Sequence, residues 1–179
     1  MTRAYPDEVA GPYDPPPRSF EDSGGREIRV HTYGEGPVDD ESEALVEMYV
    51  GYDPEDRAQG IPPTGEETVR EWLETILDPE STNVVAWHGN RAIGHATLVP
   101  DGTDAYELAI FVLAGYQSAG IGTRLIEALL GAGREEGIDR VWLTVERWNT
   151  PAVNLYRKVG FEAAGNGSFE MEMAARLVD

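Results

Sequence analysis

The sequence predicts an α/β domain built on a mixed, mostly antiparallel sheet of about seven strands flanked by about four helices. Three observations carry that expectation. Short apolar or alternating runs recur along the chain, each bounded by glycine, proline or asparagine. Between them lie segments whose apolar residues fall at helical spacing. One join between the two kinds is a glycine turn, "YQSAGIG" over 116–122, which delivers a strand into a helix.

Residues 1–25 carry Pro6, Pro12 and Pro15 to Pro17 among acids and glycines. That composition buries too little apolar area to offset ordering, so a mobile N-terminal extension is expected, with the domain proper over 26–179. "REIRVHTYG" alternates, with Ile28, Val30 and Thr32 on one face, and is the first expected strand. "VDDESEALVEMYVGYD" sets Ala44, Leu45, Met48 and Tyr49 in a helical stripe. "TGEETVREWLETILD" is a second helix with Val69, Trp72, Leu73 and Ile76 on one side, and Thr64 with Glu67 has the spacing of a capping box. "NVVAWHGNRAIGHATLV" reads as two strands joined at Gly89–Asn90.

"AYELAIFVL" is the long apolar strand that enters the glycine turn. "IGTRLIEALLGAGREEG" places Ile121, Leu125, Ala128, Leu129 and Ala132 on one helical face, with Gly137 as its stop. "RVWLTVE" has the pattern of a buried strand. "TPAVNLYRKVGF" supplies Thr150 as N-cap, Pro151 at the first helical position and Gly160 past the end. "FEAAGNGSFEMEMAARL" closes the chain as a hairpin around Asn166–Gly167, with Phe169, Met171 and Met173 alternating.

The 179 residues suit one domain, and the absence of cysteine excludes both a disulfide framework and a thiolate metal site. His31, His88 and His95 show no ligand spacing, so structural roles and no metal are expected. The N-terminus has no apolar core or basic flank, which argues against a secretory signal. No apolar run approaches the roughly 18 residues of a membrane span, so a cytoplasmic protein is expected. The formal net charge of −19 disfavours nucleic acid and anionic membranes as partners. It suits cationic substrates. It equally suits the proteome-wide acidity of extreme halophiles, because Lys158 is the sole lysine and the acids are scattered through every segment; that bias implies a halophilic archaeal source.

A strand that feeds a helix N-terminus exposes unpaired N–H groups and the positive end of the helix dipole. Gly120 and Gly122 remove side chains where an anion must approach backbone, so the turn suits a phosphate; a tight strand–helix turn with packing glycines is the plain alternative. A nucleoside-triphosphate loop starting at Gly115 needs Lys where Ile121 stands. A dinucleotide fingerprint needs glycine or alanine where Leu125 stands, although Glu146 at the end of the next strand can mimic its ribose acid.

"QSAGIG" resembles the Gln/Arg-x-x-Gly-x-Gly/Ala motif of the Gcn5-related N-acetyltransferases (GNAT), which hold the pyrophosphate of acetyl-CoA. "YELAIFVLAGYQSAGIG" is similar to that family's central strand and turn. "VWLTVERWNTPAVNLYRKVGF" is similar to its following strand and helix, through Asn149, Ala152, Tyr156 and Gly160–Phe161. The resemblance covers roughly residues 26–174 and implies the acyl-CoA N-acyltransferase fold. It also implies acetyl-CoA as co-substrate and a primary amine as acceptor, small molecule or peptide, on a monomer or homodimer.

By the same resemblance, the backbone of Ile110, Phe111 and Val112 pairs with the pantetheine arm, and an N–H near Val112 polarises the thioester carbonyl. Gln117 opens the motif, and the N–H groups of Ser118, Ala119, Gly120, Ile121, Gly122 and Thr123 form the pyrophosphate cradle. Arg124 either adds charge there or is a solvated helix residue. Asn149 is a cofactor contact or a turn residue. Tyr156 is the general acid for the departing sulfur or a half-buried core tyrosine. Glu107 is the base that deprotonates the amine, directly or through water, or simply an acid at a strand end. Tyr49, Tyr52, Asp53, Trp72, Trp148 and the 165–168 turn are candidate acceptor lining. The principal alternative to an enzyme is a non-catalytic acyl-CoA sensor of the same fold; a nicotinamide-binding domain is the other.

Overall fold

The computed structural model describes residues 3–56, 61–166 and 169–179. Eight strands among these residues form one sheet: β1 (Arg18–Glu21), β2 (Glu27–Thr32), β3 (Thr82–His88), β4 (Arg91–Pro100), β5 (Ala105–Val112), β6 (Arg140–Glu146), β7 (Glu162–Asn166) and β8 (Glu170–Arg176). Their order is β1-β2-β3-β4-β5-β6-β8-β7. Every pairing is antiparallel except that of β5 with β6. Four α-helices accompany the sheet: α1 (Glu41–Val50), α2 (Glu66–Ile76), α3 (Ile121–Glu135) and α4 (Thr150–Lys158). No helix among the described residues is long and apolar enough to cross a membrane.

Strand periodicity divides the core between the two faces. On β4, Gly94 and Leu98 face α3: a Cβ on Gly94 would lie 3.2 Å from Leu125, and one on Gly133 would lie 2.8 Å from Leu98. The alternate residue His95 faces α1, where its Nδ1 lies 2.5 Å from the Tyr49 hydroxyl. Its Nε2 meets Asn83 Oδ1 at 2.7 Å, and the Asn83 amide donates to the Ile76 carbonyl. With Nε2 donating to that oxygen, Nδ1 accepts from Tyr49, so each polar atom of the ring has a partner. Burial pushes the His95 pKa down to about 3, and it stays neutral. His88 is also structural, its Nδ1 2.6 Å from the Tyr116 hydroxyl.

The structure departs from the sequence reading in four places. The eighth strand is β1, and it comes from the segment expected to be mobile. Residues 3–25 lie against the domain: β1 pairs with β2, Ala10 N–H donates to the Arg176 carbonyl at 2.8 Å, and the Tyr13 hydroxyl donates to Val159 O at 2.9 Å. Backbone hydrogen bonds hold this segment where apolar burial is scarce, and composition does not report them. Second, the capping box does not form, because Gly65, with φ 89°, and not Thr64 is the N-cap of α2 and no side chain caps the helix. Third, α4 is capped by Asn149, which accepts from the Ala152 N–H, so Thr150 is already helical. Fourth, Phe169 is 68% exposed and leaves the buried row of Met171 and Met173. Gly167 and Ser168 of the expected hairpin turn lie outside the described residues.

At Gly131 of α3 the N-terminal segment comes close: a Cβ there would lie 2.7 Å from the backbone of Tyr13 and Asp14. Gly131→Ala should therefore displace that segment, costing about 1–3 kcal/mol and several degrees of Tm. Limited proteolysis should then cut within residues 3–25 well before it cuts wild type. Equal cleavage and Tm would show that the docking is not tight.

Candidate functional site

Strands β5 and β6 share a parallel ladder only from Ala105 to Glu107, opposite Arg140 to Trp142. Both continue, β5 to Val112 and β6 to Glu146, and between them a cleft opens that Ala109, Ile110, Phe111, Thr144 and Val145 help to line. The backbone parity of β5 is fixed from its other side. Leu113 N–H donates to Ile93 O, so the polar groups of 113, 111 and 109 serve β4. Those of Val112 and Ile110 face the cleft. Gln117 Nε2 accordingly reaches the Val112 carbonyl at 2.9 Å from that side. A buried strand edge of this kind is a template for an extended ligand.

The cleft runs toward the glycine turn. There Ser118 has φ 59° and Gly120 φ 87°, both in the left-handed region, and Ser118 is the one such non-glycine residue among those described. These two residues fold the chain into the first turn of α3. Among the described residues, none accepts a hydrogen bond from the N–H groups of Ser118 through Thr123. The space beside Gly120 is open, with nothing within 4 Å of where a Cβ would stand. Consecutive free donors at a helix N-terminus form an anion site. Gly122 serves packing as well, since a Cβ there would touch Leu155 of α4 at 3.6 Å. Arg124 turns aside to lie 5.4 Å from the Phe20 ring centre.

Two groups suited to proton transfer line the same cleft. Burial pushes the Tyr156 hydroxyl up to about 12, so it keeps its proton at neutral pH. Glu107 is exposed, but protein atoms crowd its carboxyl, and the resulting desolvation raises its pKa. Arg3 opposes that rise, while Asp101 and Glu172 add to it. Arg3 is held by Glu172 through Nε and Nη2 at 3.1 Å each, and its guanidinium lies 3.6 Å over the ring of Trp142, the ladder partner of Glu107.

Behind the cleft Tyr49, Tyr52, Trp72 and Phe111 pack together with ring centres 5.0–6.2 Å apart, and Tyr52 and Phe111 of this group line the cleft. Burial and Asp56 push the Tyr52 hydroxyl up to about 12, against a hydrogen bond from the Val112 backbone.

A family model described as acetyltransferase (GNAT) family matches residues 43–161. The chain belongs to that family. Among curated relatives, an N-alpha-acetyltransferase of Sulfurisphaera tokodaii is 42% identical over 67 residues, 37% of this chain and 38% of the relative. The chain thus spans well under half the length of that relative. Among solved structures, the GNAT domain of S. lividans PAT has a TM-score of 0.71 at 18% identity, covering 89% of this chain and 96% of that one. The yncA protein of Salmonella typhimurium, solved with its cofactor acetyl-CoA, has a TM-score of 0.62 at 16% identity, covering 85% of this chain and 95% of that one. At such identities the likeness is one of fold.

Within this GNAT domain the structure brings Glu107, Ile110, Phe111, Asn149 and Tyr156 to one cleft, with Val112 at the end of the strand that walls it and the 117–123 turn beyond. Tyr52 lines it too. Tyr49 is core, 2% exposed and committed to His95. Trp72 packs on Tyr49 and Phe111, and Trp148 is 63% exposed against Phe169. Asp53 accepts from the Glu55 N–H and does not line the cleft. Sequence reasoning missed Asp56, which lines the cleft and accepts from Gln117 Nε2 at 3.0 Å, and it missed Arg3 altogether. No cluster of histidine and carboxylate residues among those described could hold a metal ion.

A carboxyl-detected NMR titration should give Glu107 a midpoint above the ordinary value of about 4.3. Arg3→Ala should move it higher, because the cation that stabilises the carboxylate is gone. A midpoint indifferent to Arg3 would separate the two groups.

Proposed function

We propose that this chain is an N-acetyltransferase that moves the acetyl group of acetyl-CoA directly onto a primary amine, of a small molecule or of a protein N-terminus or lysine. The observation that carries this reading is the run of unengaged N–H groups from Ser118 to Thr123 at the end of a splayed strand. They fit a pyrophosphate, and the open space beside Gly120 admits it. The cleft-facing polar groups of Ile110 and Val112 suit an amide-bearing arm, with Asn149 beside it. The co-substrate supplies an activated acetyl thioester. The Val112 N–H, which donates to the Tyr52 hydroxyl in the structure, polarises the thioester carbonyl when that carbonyl takes the place of the hydroxyl. Glu107, its pKa raised, takes the proton from the ammonium form of the acceptor, directly or through water. Tyr156, still protonated, gives one to the leaving sulfur.

A non-catalytic acyl-CoA sensor needs neither acid nor base, so the presence of both on one cleft favours the enzyme. The acidic surface suits a halophilic setting, with the cytoplasm as its compartment.

Calorimetry in concentrated KCl should show acetyl-CoA binding in the micromolar range, abolished by Gly120→Glu, which adds a carboxylate at the cradle. Absence of binding by the folded protein would sink the assignment. In an amine screen, Tyr156→Phe should lower turnover by about 10²–10⁴ while leaving acetyl-CoA affinity nearly unchanged. Undiminished turnover would remove Tyr156 from the chemistry. The acid limb of kcat/KM should lie above the ordinary carboxylate range and vanish in Glu107→Gln, since activity is lost as pH falls through the raised pKa of the base.

A further inference from the structure

The β1–β2 hairpin ends at residues 22–26, and its tip touches the glycine turn. Both the backbone N–H and the hydroxyl of Ser23 donate to the Ala119 carbonyl, at 3.0 and 3.1 Å. Side-chain bonds tie the tip together. Asp22, 7% exposed, accepts from the N–H groups of Gly24 and Arg26 at 2.9 Å and from Arg26 Nε at 2.7 Å. Arg26 then extends Nη1 to the Gly115 carbonyl at 3.0 Å, with its guanidinium 4.1 Å over the Tyr116 ring. The carbonyls of Gly115 and Ala119 are thereby both held from one hairpin tip.

A trans peptide is planar, and its C=O and N–H point in opposite directions. Fixing the Ala119 carbonyl therefore fixes the Gly120 N–H, aimed away from Ser23. The turn contains a serine in the left-handed region, a conformation that costs energy unless its surroundings hold it. The two donors of Ser23 act one residue beyond that point. We infer that Ser23 is a positioning residue: by clamping the Ala119 carbonyl, it presets the backbone donors that grip the pyrophosphate of the co-substrate. This rests on the acetyl-CoA reading above. It makes the N-terminal segment part of the cofactor site without contact between Ser23 and the cofactor. Its effect is on affinity through preorganisation, since a turn already in the bound shape loses less freedom on binding.

The test is calorimetry with acetyl-CoA on the full chain, for wild type, Ser23→Ala and Ser23→Thr, each with a ligand-free Tm. Removal of one hydroxyl hydrogen bond should raise Kd by about 3- to 10-fold. Threonine keeps the hydroxyl and should restore affinity to near wild type. Turnover at saturating acetyl-CoA should stay unchanged in both variants. Arg26→Ala, which frees the Gly115 carbonyl, should weaken binding in the same direction and serves if Ser23→Ala does not fold. A Tm drop with Kd unchanged would mean the contact only holds the fold, and would overturn the inference. So would equal losses in the alanine and threonine variants. Failure of wild type to bind acetyl-CoA is a different result, and it would overturn the proposed function itself.

Discussion

Two parallel strands that share a ladder over residues 105–107 and then diverge leave the far half of β5 with one edge that no strand pairs, where side chains serve Val112 alone: Gln117 at its carbonyl and Tyr52 at its N–H. Buried backbone polar groups require partners, and a strand edge that lacks them is costly unless a ligand or solvent serves it. Everything else about the site is arranged around that edge. Antiparallel pairing with β4 holds β5 rigid through Leu113, so the open side has defined parity, with Val112 and Ile110 facing the gap. Beyond β6, α4 supplies the other wall through Ala152 and Tyr156.

The divergence also gives the two groups proposed as acid and base different environments within one cleft. Glu107 stands where the ladder ends, with solvent on one side and the paired strands on the other. Tyr156 projects from α4, and burial holds its proton in place. Neither residue needs a special charge partner for its task; position along the splay suffices. Arg3 reaches the closed end of the same gap from a distant part of the chain, stacked on Trp142. The N-terminal segment therefore bears on the site twice, by the charge of Arg3 near Glu107 and by the contact of Ser23 with the glycine turn.

The parts legible in the sequence were those whose chemistry is local. The glycine turn, the α3 stripe from Ile121 to Ala132 and the apolar run of β5 each follow from spacing within one segment. The resemblance added Asn149 and Tyr156, and both line the cleft. What stayed illegible depends on contacts between distant residues. Nothing in "SGGR" announces that Ser23 meets Ala119, and Pro-rich composition reads as disorder even where backbone bonds tie the segment down. Asn149 and Thr150 are both good caps, and only the geometry of the β6–α4 loop selects the first. Tyr49 and Tyr52 lie three residues apart on one pattern, yet one is locked to His95 in the core and the other faces the cleft.

A chain of net charge −19 for which a polyanionic co-substrate is proposed meets an apparent conflict, and the construction of the turn offers a way round it. Long-range repulsion acts on the approaching anion, but exposed charges are screened beyond about 10 Å at 0.1 M salt and about 3 Å at 1 M. Binding through lysine and arginine side chains would be screened along with it. Backbone N–H groups act instead by direct hydrogen bonds at close range, where ions do not come between donor and acceptor. The side chains near the turn agree with this division. Arg124 lies toward Phe20, and Arg26 is engaged by Asp22 and the Gly115 carbonyl. Arg26 here braces the turn, and on the proposed reading the peptide backbone supplies the grip. An acidic surface and an anion site are then compatible, because the first works through net charge and the second through fixed dipoles.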